Sequence, residues 1–83
     1  MSINRETTRQ EALESLNEVL SILAVDPARR SLFEQLFILN NYFYPHLNEG
    51  NFGCGSCVDR VLTRMNQFWN ETGVQELNNI ING

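Results

Sequence analysis

The chain has 83 residues, with ten Asp or Glu against six Arg, no Lys and a single His, for a net charge of −4. That length makes one helical domain, 1–83, whose small core would gain from a metal, a disulfide or a second copy. The acidic balance weighs against nucleic-acid binding, which draws its sequence-independent affinity from cationic side chains, and no run of about 18 apolar residues is present to cross a membrane.

Residues 1–6 are polar and read as a frayed start without the apolar stretch of a secretory signal, which points to the cytoplasm and reduced thiols. Two overlapping capping boxes follow, Thr7 with Gln10 and Thr8 with Glu11. Behind them, Ala12, Leu13, Leu16, Val19, Leu20 and Leu23 recur at helical spacing, so a first helix is predicted over about 8–24. Asp26-Pro27 interrupts it. Pro27 disfavours helical geometry in the residue before it and suits the first position of a new helix, with Asp26 as cap.

The second helix is predicted over about 27–43. Its apolar set (Ala28, Leu32, Phe33, Leu36, Phe37, Ile38, Leu39, Tyr42 and Phe43) covers more than one stripe. Such a helix is either central to the fold or has a second face for a partner. Pro45 ends it, and residues 44–56 read as an ordered loop rich in Gly and Asn. The third helix, over about 56–72, carries the cleanest stripe in Val58, Val61, Leu62, Met65, Phe68 and Trp69. Ser56 is its expected N-cap and Gly73 its expected C-cap. Apolar residues at 74, 77, 80 and 81 suggest a short fourth helix folding back. The predicted class is all-α: a three-helix bundle, or a helical hairpin plus a third helix, with a short C-terminal helix.

Cys54-Gly55-Ser56-Cys57 is the most specific local feature, and it admits three chemistries. As metal ligands, Cys54 and Cys57 would join His46, with a fourth donor from Glu49 or another chain; zinc is then the expected ion. As a redox pair, they would cycle between thiols and disulfide, helped by the helix N-terminus. As packing residues, they would simply be small and apolar. Apart from zinc, no cofactor is expected.

Two arginine pairs are candidate anion ligands: Arg29 and Arg30 in the first turn of the second helix, and Arg60 and Arg64 on one face of the third. The plainer reading makes them surface charges, with Arg30 pairing to Glu34 and Arg60 to Asp59. Most aromatics are expected in the core, while Phe37, Tyr42 and Tyr44 are candidates for an interface. No catalytic constellation is evident, so the expectation is a protein that is not an enzyme.

The stretch from Tyr42 to Trp69, and in particular Gly53-Cys54-Gly55-Ser56-Cys57-Val58-Asp59-Arg60-Val61-Leu62, resembles small phage proteins that place a C-x-[SA]-C-[VI] turn before a helix near the C-terminus. The matching positions are Cys54, Ser56, Cys57 and Arg60. The resemblance implies a bacteriophage accessory or virion-associated protein, acting in the host cytoplasm or in the particle. It carries no assigned activity. The leading expectation is a binding protein that uses helical surfaces on a protein partner and on itself as a homo-oligomer. An oligomeric binder of a phosphorylated or nucleotide-like ligand, and a zinc or thiol-redox module, are the alternatives.

Overall fold

The computed structural model describes residues 8–83, so the expectations for residues 1–6 and for a Thr7 cap lie outside the described residues. Helix α1 spans Arg9–Val25. Of the two overlapping caps, the described one is complete. Thr8 Oγ1 accepts the Glu11 N–H at 3.2 Å, and Glu11 Oε1 accepts the Thr8 N–H at 3.2 Å. The helix buries Ala12, Leu13, Ser15, Leu16, Val19, Leu20 and Leu23 along one side. Each buried leucine contributes about 1.5–3 kcal/mol of apolar burial, and trimming one such as Leu16 to Ala would remove about 2–5 kcal/mol.

Asp26 closes α1 rather than opening the next helix. Its N–H bonds Ile22 O at 2.8 Å, and its carboxylate turns to the Arg29 side chain. A turn follows, then one 3₁₀ turn over Arg30–Leu32, and helix α2 begins only at Phe33 and ends at Phe43. The start predicted at Pro27 is therefore six residues early. Ahead of the proline Asp26 takes a non-helical backbone (φ −133°, ψ 79°), and its carboxylate accepts from the Arg29 side chain at 3.4 Å.

Helix α2 lies between α1 and the third helix and packs on both. Leu36, Phe37 and Leu39 are buried, while Leu32, Phe33, Tyr42 and Phe43 close over them. Its broad apolar surface thus belongs to a central helix.

Helix α3 spans Gly55–Phe68 and α4 spans Val74–Asn82, joined without a break by a π-helical turn, Trp69–Gly73. The Val74 N–H bonds Trp69 O, the i to i−5 bond that defines such a turn. Positions 61, 65, 69, 73 and 77 face inward at steps of four, with Val61, Met65, Gly73 and Leu77 buried and Trp69 half-buried. A stripe spaced in fours drifts about 40° per step around an α-helix. The wider π turn takes up that drift, and α4 reaches α1. Gly73 is consequently no C-cap. Its φ is −62°, and a Cβ there would meet Trp69 Cε3 at 2.8 Å and Phe68 Cε2 at 3.3 Å. Glycine is required by close packing, not by a helix end. Arg9 ties the far end, pairing with Glu76 at 2.6 Å while its guanidinium lies over the Phe43 ring.

Three helical rods, the third running on through its π turn, make an all-α fold, and no strand occurs among the described residues. No helix among them is long and apolar enough to cross a membrane.

Candidate functional site

The thiol turn begins α3 two residues earlier than an N-cap at Ser56 would place it. Cys54 is the N-cap, with extended backbone (φ −95°, ψ 115°), and its Sγ accepts the Cys57 N–H at 3.3 Å. Ser56 Oγ lies 3.3 Å from the same sulfur. Both cysteines are free and half-buried. The Cys57 thiol, the Ser56 hydroxyl and the Cys57 N–H all converge on Cys54 Sγ, and together they bring its pKa down to about 7. Cys57 moves the opposite way: its hydrogen bond to Cys54 and its burial favour the neutral thiol, while Arg60 works against them. The two thiols are therefore chemically unequal.

His46 sits in a short 3₁₀ turn, Pro45–Leu47, with its ring against Tyr44. Among the described residues, no group of three His, Cys, Asp or Glu side chains comes together as a metal shell, so Cys54, Cys57 and His46 do not converge. Glu49, the suggested fourth donor, is engaged elsewhere. Arg60 grips its carboxylate through two bonds, of 2.9 and 2.7 Å, and Arg64 approaches it at 3.6 Å. The Arg60 bonds hold the Glu49 carboxyl below its ordinary range, and Glu49 raises Arg60 in return.

Behind that cluster stands Asn40, fully buried in α2. Its Oδ1 accepts from Arg64 at 2.7 Å, and its Nδ2 donates to Leu47 O at 3.1 Å and to Asn41 Oδ1 at 3.0 Å. Asn41 then pairs with the Glu49 backbone in both directions, at 2.9 Å each. The loop after α2 is thus pinned by two asparagines and two arginines. No periodicity marks these polar residues in the sequence; the only signal was two adjacent asparagines at the end of an apolar helix.

The four candidate arginines do not gather on one anion. Arg60 and Arg64 converge on Glu49, and Arg29 pairs with Asp26 at 3.4 Å. Neither the Arg30–Glu34 nor the Arg60–Asp59 pair forms. Arg29 and Arg30 also precede α2, away from its first turn. Arg30 instead lines a groove of about 560 Å³. Phe33, Val58 and Leu62 lie along this groove, with Pro27 and Phe52 beside them. Asp59 supplies an opposite charge, and Gly53 and Gly55, the neighbours of Cys54, complete the lining.

Of the aromatic interface candidates, Phe37 is a core residue, 2% exposed, with its ring edge-on to Phe52 at 5.9 Å. Tyr42 and Tyr44 are half-buried, in edge contact with Phe43 and Phe68 respectively. Phe52, 43% exposed, is the aromatic that the loop presents outward, and spacing alone did not single it out. The outward side of α4 also shows Ile80 and Ile81.

Fold and site together define a small helical protein with an amphipathic groove beside a dithiol turn. No family model, no characterised protein and no solved structure matches the chain.

Proposed function

We propose that the protein is a non-enzymatic binding module that takes an apolar segment of a partner protein into the groove. The observation that carries this reading is the groove itself: an apolar lining of Phe33, Val58 and Leu62, an outward Phe52, and one charge of each sign, Arg30 and Asp59. A volume of about 560 Å³ accommodates a few bulky apolar side chains, as a docked helix or strand would supply. A phosphorylated ligand fits this surface less well. Asp59 would repel it, and Glu49 already neutralises Arg60 and Arg64. The resemblance of the Cys54–Cys57 turn to small phage proteins supports a phage accessory or virion-associated role in the host cytoplasm or particle.

The test is site-specific photo-crosslinking from position 52, with position 17 on the exposed side of α1 as control, followed by identification of the captured protein and titration with that protein purified. Phe52→Ala is expected to weaken binding at least ten-fold while circular dichroism stays helical. The same set of adducts from both positions, or unchanged affinity, would refute the reading. A crosslink to a second copy of the chain would replace the foreign partner with a homo-oligomer.

A further inference from the structure

We propose that Cys54 and Cys57 form a dithiol exchange site for low-molecular-weight disulfides, with Cys54 as the attacking thiol and Cys57 as the resolving one. The site stands independently of the groove's occupant. Three geometric facts carry it. First, Cys54 Sγ occupies the N-cap, where it accepts the Cys57 N–H at 3.3 Å and has Ser56 Oγ at 3.3 Å, so a negative sulfur has polar hydrogens already aimed at it. Second, that sulfur lies over the backbone of the residue it would bond, three positions on across the first helical turn. Third, the two thiols are half-buried rather than sealed in the core, and no third ligand completes a metal shell around them among the described residues. The lowered pKa of Cys54, and the Arg60 guanidinium that favours the Cys57 thiolate, agree with this division of roles.

The exchange balances in two displacements. The Cys54 thiolate attacks one sulfur of a disulfide RSSR, forming a Cys54–SR bond, breaking the S–S bond and releasing RS⁻. Cys57 then loses its proton to solvent, and its thiolate attacks Cys54 Sγ, forming the Cys54–Cys57 bond and expelling the second RS⁻. Two electrons pass to RSSR, which leaves as two thiols once protonated, and the protein dithiol becomes a disulfide. Ring closure fixes the Cys54–Cys57 turn, whose Gly55, with the preceding Gly53, also lines the groove.

The experiment incubates the reduced full chain with glutathione disulfide at neutral pH and follows intact mass. The wild type is expected to lose two hydrogens and retain no glutathione. Cys57→Ser is expected to hold one glutathione on Cys54. Cys54→Ser, which keeps an N-cap oxygen for the Cys57 N–H, is expected to react about five- to ten-fold more slowly than Cys57→Ser: the larger thiolate fraction of Cys54 outweighs its lower intrinsic nucleophilicity. The wild-type mass change needs no variant, so the proposal stays testable if a substitution unfolds the chain. Retained glutathione without ring closure in the wild type overturns it. So do equal rates for the two serine variants, or stoichiometric zinc on the purified protein that blocks exchange until it is chelated.

Discussion

Replacing Asn40 by Ala should be among the most damaging polar substitutions in this chain. Asn40 is fully buried, and its side chain makes three hydrogen bonds, to Arg64, Leu47 O and Asn41. The bond from the arginine is charge-assisted, worth about 1.5–3 kcal/mol, and the two neutral bonds are worth about 1 kcal/mol each. Part of this is recovered. The Arg64 side chain is 19% exposed, so water reaches it, and Glu49 Oε2 lies 3.6 Å away. The net loss is about 3 kcal/mol, which for a domain of this size lowers the melting temperature by roughly 12–24 °C. Urea and thermal unfolding followed by circular dichroism measure the loss. Amide hydrogen exchange over 44–50 should accelerate more than exchange in α1, because Asn40 and Asn41 hold that loop. A loss under about 1 kcal/mol, with loop protection unchanged, would refute the assignment of Asn40 as the anchor.

Gly73→Ala should destabilise by about 1 kcal/mol, since crowding of Trp69 and Phe68 outweighs the helix-propensity gain of about 1 kcal/mol; a higher melting temperature would mean that the indole gives way freely. Glu49 and Glu76 both have lowered pKa values, through hydrogen bonds from Arg60 and Arg9 respectively. Their contribution is present above the ordinary glutamate value of 4.5 and is lost as pH falls through the lower folded values, so the urea midpoint should drop below about pH 4.5. Glu49→Gln should start less stable at neutral pH and show a shallower acid limb. Alkylation of Cys54 by iodoacetamide should reach half its limiting rate near pH 7, well before Cys57 does, as mapped by peptide mass spectrometry. A common midpoint for both thiols would contradict their inequality.

Read from its residues alone, the chain already declares three helical segments. The stripe from Ala12 to Leu23 places α1 to within a residue at each end, because an amphipathic surface facing a core leaves its 3.6-residue period in the sequence. The apolar excess of α2 is equally visible there, and so are the paired cysteines at a helix start. What periodicity lacks is any record of long-range polar pairing. That Glu49 takes Arg60 and Arg64, removing them from an anion site, depends on α3 lying beside the loop after α2. That Gly73 is a contact point rather than an end depends on Trp69, Phe68 and Leu13 meeting there.

The helical class and the thiol turn were therefore set by local sequence, since both arise from interactions between residues three or four apart. Only the packed molecule decided which arginines are spent, that Phe37 is core while Phe52 faces outward, and that Arg30 and Asp59 share one groove. Each of these joins segments distant along the chain, and the free energy that brings them together comes from burial of the shared core rather than from any local preference.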